Sequence, residues 1–352
     1  MFLFASAATV ATFLPINSTQ LFQPRRADRR RVSDIIEIVN RSLQRCACPP
    51  FSSAPTGPAY TAVITDPRAS ASLLFAIRHM ACSLPQDWVL MLVMAHNMRD
   101  FALDELADLL RIGKLRVWEL SNSTRALHRV CPNFDTREWC TESTVSALEA
   151  TPWPTTWDLG NEILLYEPLF LATPTGHLIV FQTDGLLCRP LSSTDIHNFL
   201  PYDYIGAPWT HHREEVGDGT GGNGGFSFRN RDTHLRIIEA HRARGEGPAQ
   251  QNEDHFFSEQ VTGAGGRLPP LEVSSAFAVE TLFHERPLGF HKPWKFLAAG
   301  ELARLVEGCP VIEEVRRVGE LREWLKPIIY QSCKFENDFC ANGRLSPRSA
   351  HE

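Results

Sequence analysis

The sequence predicts an α/β fold in which helices cover a central sheet, and the order of its apolar segments carries this prediction. Two strand-like runs, YTAVIT (60–65) and WVLMLVMA (88–95), flank SASLLFAIRHMACSL (70–84), where apolar residues recur at helical spacing. The order then repeats, with DFALDELADLLRIG (100–113) as a helix and LRVWEL (115–120) as a strand. Because apolar strands that alternate with helices are typical of sheets buried on both faces, we expect helices on both sides of this one.

The second half of the chain continues the pattern. The most apolar segment, HLIVFQTDGLL (177–187), predicts a central strand that ends on Gln182, Thr183 and Asp184. A short strand in YDYIGAPW (202–209) and helices in DTHLRIIEAHRA (232–243) and NEDHFFSEQV (252–261) follow. Ligands of open α/β sheets bind beyond the carboxyl ends of the strands, so residues that follow predicted strands are candidates for a site.

Composition and charge exclude several classes of function. The chain has 352 residues, of which 43% are hydrophobic, and this is a globular composition with enough apolar surface for a large core. Lys and Arg number 35 against 41 Asp and Glu, which gives a net charge of −6 and no overall positive field. We therefore expect no nucleic-acid partner. Nine cysteines are scattered without a CxxC pair, which argues against a zinc ribbon or a redox motif.

The first 58 residues are predicted to be an apolar and basic segment followed by a Pro-rich linker. An apolar start (MFLFASAATVATFLPI) precedes QPRRADRRR (23–31), which is interpreted as a solvated basic segment, and CPPFSSAPTGP (48–58) is typical of a linker. We expect the main domain over 59–299, and a C-terminal helical extension with a tail over 300–352.

Several weak signals bear on the cellular location. Three sequons (at Asn17, Asn40 and Asn122) and a Cys333/Cys340 pair would suit a secreted chain, but the apolar start lacks preceding basic residues. The sequence leaves both a secretory-pathway and a cytoplasmic location open.

A glycine-rich segment, GDGTGGNGGFSFRNR (217–231), raises the question of a ligand loop. Residues 219–224 match G-x-G-x-x-G formally, but the preceding residues are polar and FSFRNR alternates as a strand does. A dinucleotide fingerprint needs a buried strand before it and a helix after it, so that interpretation fails. A flexible loop and a close backbone approach to a ligand both remain open.

Four charged or titratable residues are candidates for chemistry, each with a structural alternative. Asp184 follows the central strand, where a carboxylate can hold a divalent cation or simply form a turn. Glu253 and Asp254 can supply a general base, or can complement a helix that Asn252 caps. His291, in GFHKPW, is either a metal or diphosphate ligand or a packed core histidine.

The order and spacing of YIGAPW, GNGGFSFR, EDHFF and HKPW resemble one family, domain of unknown function 5672, a set of glycosyltransferase-like proteins. The resemblance spans about residues 60–296. It implies a GT-A-like single domain of α/β class, with a mixed, mostly parallel central sheet flanked by helices.

What the resemblance implies for function is transfer of a sugar from a nucleotide-sugar donor to a hydroxyl acceptor, such as a glycan. Gln182 to Asp184 would take the place of an Asp-x-Asp metal motif, although Gln182 replaces its first carboxylate. Asp184 and His291 would hold a divalent cation, Mn²⁺ or Mg²⁺, and Asp254 would be the catalytic base with Glu253 beside it. The predicted substrate-binding residues are Asp66, Arg68, Gln182, Trp209, Asn223, Gly224, Gly225, Phe226 and Trp294. The tryptophans alternatively belong to the core, and Arg68 to a surface salt bridge.

A competing interpretation from another class is a catalytically inactive module that keeps the pocket and binds a carbohydrate or a nucleotide sugar. The retained Asp184, Glu253, Asp254 and His291 favour the enzyme.

Overall fold

A computed structural model describes residues 26–46, 57–66, 70–95, 104–120, 129–131, 141–142, 164–165, 167–210, 221–245 and 252–320. Arg68, residues 217–220 of the glycine-rich segment and the Cys333/Cys340 pair lie outside these residues. Within the described part, no helix is long and apolar enough to cross a membrane.

An eight-stranded mixed sheet forms the centre of the structure. Its strands are β1 (Tyr60–Thr65), β2 (Trp88–Ala95), β3 (Leu115–Leu120), β4 (Arg129–Cys131), β5 (Thr141–Glu142), β6 (His177–Phe181), β8 (Tyr204–Ala207) and β9 (Asn223–Asn230). Their spatial order is β5-β4-β3-β2-β1-β6-β9-β8. Neighbours in the run β3-β2-β1-β6 pair in parallel. The remaining pairings are antiparallel, so that only β4 and β9 run against the other six strands. The prediction of a mixed, mostly parallel sheet in an α/β fold is thus confirmed.

A second, three-stranded sheet packs beside the first, and the chain enters it directly after the predicted end of the central strand. β6 ends at Phe181, and after a turn at 182–184 the chain enters β7 (Gly185–Leu187) of the small sheet. β7 pairs antiparallel with β11 (Gly289–His291), which pairs in parallel with β10 (Ala278–Val279). The predicted end of the central strand at 182–184 is confirmed, since β6 ends directly before Gln182. β7 is a separate short strand that the sequence analysis did not predict.

Helices cover the sheet and are α1 (Arg26–Arg45), α2 (Ala71–Ser83), α3 (Ala107–Arg111), α4 (Glu167–Ala172), α5 (Ser193–Phe199), α6 (Arg231–Ala243), α7 (Glu253–Gln260), α8 (Leu271–Phe277), α9 (Ala299–Gly308) and α10 (Val311–Glu320). The core divides into two clusters of buried side chains. One includes Leu73 of α2 and Phe226 of β9, and the other includes Val63 of β1 and Phe257 of α7. The helices predicted over 70–84, 232–243 and 252–261 are confirmed as α2, α6 and α7.

Helix α1 is an element that the sequence analysis did not predict. Its Val39 is fully buried, and Ile35, Ile36 and Leu43 pack against the same core cluster. The apolar positions recur at helical spacing, but the dense charge of the segment hides them. α1 and α10 both contact α2, and they also contact each other. The first and last helices of the described chain therefore pack together on α2.

A disulfide joins Cys188, directly after β7, to Cys309, directly after α9. It links the small sheet to the C-terminal helices across 121 residues of chain. α9 and α10 confirm the helical character expected after residue 300, and the assignment of 300–352 as a separate extension stays a prediction.

We expect replacement of both Cys188 and Cys309 by alanine to lower the free energy of unfolding by about 2–4 kcal/mol, because the bond restricts the unfolded chain. Urea unfolding of the variant and the parent measures the difference. Cys46→Ala is the matched control, since Cys46 is a free thiol. Free thiols at both positions in peptides mapped without reduction would contradict the assignment.

Candidate functional site

The site lies at the edge of the sheet where the parallel strands end. β1 ends just before Asp66, and its parallel pairing with β6 puts Asp66 at the same edge as Gln182 to Asp184. β9 runs antiparallel to β6, so it begins at this edge with Asn223. β8 ends here as well, and Trp209 follows it. Sheet topology therefore collects residues from four separate parts of the chain.

The first half of the site is a cluster around the imidazole of His291. Its Nε2 lies 3.1 Å from Oε1 of Gln182 and 3.5 Å from Oδ1 of Asp184. Its Nδ1 lies 3.0 Å from Oε1 of Glu280. The ring is almost fully buried, whereas the side chain of Asp184 is 34% exposed and faces solvent in part. Antiparallel pairing of His291 with Gly185 brings these residues together.

The charges in this cluster support one another. Burial alone would raise the pKa of Asp184, but the hydrogen bond and charge of His291, with the charge of Lys292, hold it below its usual value. Burial would lower the pKa of His291, but its hydrogen bonds to Asp184 and Glu280 raise it overall. A proton on Nε2 and a divalent cation would compete for the same lone pair.

The second half of the site surrounds Asp254, in the first turn of α7. Its Oδ2 accepts hydrogen bonds from the backbone N–H of Gly224 at 3.2 Å and from Nδ2 of Asn223 at 3.3 Å. Its Oδ1 accepts the N–H of His255 at 2.9 Å. The residue is 8% exposed, so these donors compensate for the water that the carboxylate loses.

The segment Asn223 to Gly225 connects the two halves. A Cβ on Gly225 would collide with the imidazole of His291, and a Cβ on Gly224 would collide with the carboxylate of Glu253. The glycines are thus required for close packing of the backbone against these two side chains, where the sequence analysis expected an approach to a ligand. A hydrogen bond within the segment also fixes its conformation, since Oδ1 of Asn223 accepts the N–H of Gly225 at 2.8 Å.

Glu253 is held in a buried ion pair. Its two carboxylate oxygens lie 2.7 and 3.0 Å from Nη1 and Nη2 of Arg229, a guanidinium with no exposed surface. This bidentate pairing favours a structural role for Glu253 over the catalytic role expected from the sequence. Asn252 occupies the N-cap position of α7 but makes no side-chain capping bond, so the capping interpretation fails as well.

The three aromatic residues predicted to bind substrate have different surroundings. Phe226 is fully buried and stacks on Phe277 at 5.2 Å between ring centroids, which corrects its assignment to a ligand surface. Trp294 packs edge-on against Phe290 and lies against the main core cluster. Trp209 stacks on His255 at 4.3 Å, beside Asp254, and is the one aromatic residue of the three next to the site.

Two residues of the site were missed by sequence reasoning. Glu280 is buried against His291, and Lys292 lies 3.8 Å from Glu280 and donates its backbone N–H to the carbonyl of Asp184. Lys292 has a φ of 38°, and within the described residues it is the only residue other than glycine with a positive φ. Lys292 lies in HKPW, a motif that the sequence analysis used for His291, whereas no local pattern marks Glu280.

Comparison with known proteins finds a family match over part of the chain. Residues 159–291 match the family described as "Protein of unknown function (DUF5672)", which confirms the resemblance. No curated protein matches the chain in sequence.

Solved structures with a loose similarity to this chain include three glycosyltransferases. Mouse xyloside xylosyltransferase 1 in its apo form is 13% identical, with a TM-score of 0.40 over 69% of this chain and 100% of that one. The glycosyltransferase GlyE of Streptococcus pneumoniae TIGR4 is 9% identical, with a TM-score of 0.39 over 76% and 64%. The mannosyltransferase PcManGT of Pyrobaculum calidifontis, in complex with GDP-Man and Mn²⁺, is 10% identical, with a TM-score of 0.36 over 87% and 84%.

We expect Glu253→Gln to destabilise the protein by about 3–5 kcal/mol, because it leaves the charge of Arg229 buried without a counter-ion. A residue that only complements the helix dipole would lose about 0.3–1 kcal/mol. Urea unfolding distinguishes the two values. Glu37→Gln, which removes an exposed ion pair with Arg41, is the control and should cost less than about 1 kcal/mol. Equal losses in both variants would contradict the structural role.

Residues 159–291 thus match domain of unknown function 5672, the family that the sequence motifs resemble.

Proposed function

We propose that the protein is a glycosyltransferase that moves a sugar from a nucleotide-sugar donor to a hydroxyl acceptor. The observation that carries the proposal is the convergence of Asp184, His291 and Asp254 on one edge of the sheet, joined by Asn223 to Gly225. The family resemblance of the same motifs supports it. The transfer breaks the bond between the anomeric carbon and the diphosphate oxygen, forms a bond from that carbon to the acceptor oxygen and releases a nucleoside diphosphate.

Asp254 is the proposed general base. Its carboxylate is held by Gly224, Asn223 and His255, which fix its direction but leave it capacity to accept a further proton. The acceptor hydroxyl would donate its proton to this carboxylate as its oxygen attacks the anomeric carbon. Trp209, stacked beside Asp254 on His255, offers an aromatic surface next to the attacking group.

A divalent cation, Mn²⁺ or Mg²⁺, fits the residues around His291. Nε2 of His291 lies 3.1 Å from Oε1 of Gln182 and 3.5 Å from Oδ1 of Asp184, which are one nitrogen and two oxygen donors. Mg²⁺ sites typically combine one or two carboxylates with substrate phosphates. The described residues contain no group of three or more His, Cys, Asp or Glu side chains arranged for a metal, so we expect weak binding of the cation alone and further oxygen ligands from the diphosphate when the donor is bound. When bound, the cation would stabilise negative charge on the leaving diphosphate. The ammonium of Lys292 adds a further positive charge at this corner.

A second candidate is an inactive module that binds a nucleotide sugar or a carbohydrate. One observation favours it: Gln182, which replaces a metal-binding carboxylate, has its amide oxygen directed at Nε2 of His291. Hydrolysis and transfer assays over a panel of nucleotide sugars, with and without Mn²⁺, distinguish the candidates. Donor binding without turnover under every condition would support the module.

We also propose that the protein resides in the secretory pathway. The Cys188–Cys309 disulfide supports this location, because disulfides persist in oxidising compartments and are rare in the cytosol. The peptide mapping described for that disulfide is also the test here, applied to protein from its native compartment.

We expect Asp254→Asn to bind the nucleotide sugar normally and to lose about 10²–10⁴-fold in transfer rate, since an amide cannot accept the proton of the acceptor. The amide oxygen can still accept the N–H of Gly224, so the fold should be retained. Glu259→Gln, an exposed acidic residue on the same helix, is the matched control. A transfer rate near that of the parent would defeat the assignment of the base.

We expect Asp184→Asn to abolish turnover that depends on Mn²⁺ without unfolding the protein, because the change preserves volume and removes only the charge. Asp232→Asn is the control, since the side chain of Asp232 is exposed on α6. Circular dichroism checks the fold, and a Mn²⁺ titration of the transfer rate reports the loss. Unchanged metal dependence would leave Asp184 as a turn residue.

A further inference from the structure

Glu280 is a buried carboxylate that no motif of the sequence identifies. It follows β10, is 2% exposed and lies 3.0 Å from Nδ1 of His291. Burial of a carboxylate is costly unless the group is paired and hydrogen bonded. The position of Glu280 therefore needs an explanation in terms of the partners that it holds.

The small sheet brings Glu280 to His291. β10 and β11 pair in parallel with Ala278 opposite Gly289 and Val279 opposite Phe290, so the next residues along the two strands are Glu280 and His291. Both side chains lie under the site edge of the main sheet, where Gly225 packs on the imidazole. Backbone pairing thus fixes the distance between carboxylate and ring.

The contact determines which imidazole nitrogen faces the site. A carboxylate accepts hydrogen bonds, so Nδ1 of His291 must carry the hydrogen that Glu280 accepts. Nε2 is then the nitrogen directed at Gln182 and Asp184. Carboxylates that bind the outer nitrogen of a ligating histidine orient the ring and increase its basicity as a ligand.

Glu280 also faces Lys292, which holds the backbone of Asp184. Its Oε1 lies 3.8 Å from Nζ of Lys292, and the N–H of Lys292 donates to the carbonyl of Asp184 at 2.8 Å. Lys292 has the left-handed φ of 38°, a conformation that costs energy for a residue with a side chain and persists where surrounding contacts impose it. One carboxylate therefore contacts both residues that adjoin Asp184.

We propose that Glu280 is the positioning residue that directs Nε2 of His291 toward Asp184 and Gln182, and that it thereby sets the divalent-cation affinity of this site. The inference rests on the proposed cation site of the glycosyltransferase function, but not on turnover.

The test uses the full chain with Mn²⁺ alone as the probe. Isothermal titration calorimetry should show Glu280→Leu to bind Mn²⁺ about 10- to 100-fold more weakly than the parent, the range typical for loss of such a carboxylate. Glu280→Gln retains an oxygen that can accept from Nδ1, so its loss should be smaller. Equal Mn²⁺ affinity in the parent and in Glu280→Leu would overturn the proposal, as would a parent that binds no Mn²⁺.

A second readout reports orientation directly. Two-bond ¹H–¹⁵N correlation spectra of histidine-labelled protein should show His291 in the Nδ1–H tautomer when neutral in the parent and in Glu280→Gln. Glu280→Leu should show a mixture or the other tautomer. If Glu280→Leu does not fold, the tautomer in the parent and in Glu280→Gln still decides, because an Nε2–H form in either would overturn the proposal. Mn²⁺ binding with the expected tautomer but no sugar transfer would refute the proposed function and leave the role of Glu280 intact.

Discussion

The buried ion pair between Arg229 and Glu253 is the interaction on which the site depends. Arg229 donates through Nε to the hydroxyl of Ser227 and through Nη2 to the carbonyl of Gly224, and its guanidinium lies 5.2 Å from the ring centroid of Tyr204. Tyr204 in turn donates its hydroxyl to the carbonyl of Gly222. Because Glu253 begins α7, the same ion pair fixes the start of that helix against β9. The glycine segment and Asp254 are therefore positioned by one buried charge pair.

The two sheets supply different residues of the proposed site. The main sheet supplies Asp184 from the end of β6, and Asn223 with its glycines from the start of β9. The small sheet supplies His291 from β11, held by Glu280 after β10. The turn at 182–184 belongs to both sheets, since β6 precedes it and β7 follows it. Asp184 and His291 are separated by 107 positions in sequence, and the pairing of β7 with β11 is what joins them.

Much of this arrangement was predictable from sequence, and the errors have specific causes. Asp184 was placed after a central strand because the apolar run before it ends on polar residues. The burial of Glu253 against Arg229 and of Phe226 in the core was not foreseen, since adjacent carboxylates and an aromatic residue beside glycines look alike whether they face a cleft or the core. Arg229 in FSFRNR carried no sign that its charge would be buried with Glu253.

Local patterns in the sequence determined the α/β class, most strands and helices, and the association of the motifs with one family. Those features depend on apolar periodicity and on residue order, which are written along the chain. Only the tertiary structure decided which side chains are partners: Arg229 with Glu253, Glu280 with His291, and Cys188 with Cys309. Each of these contacts joins residues from different elements, and it depends on strand pairing and helix packing that no local pattern encodes. Arg229 makes Glu253 part of a buried ion pair, and Glu280 is proposed to set the tautomer of His291.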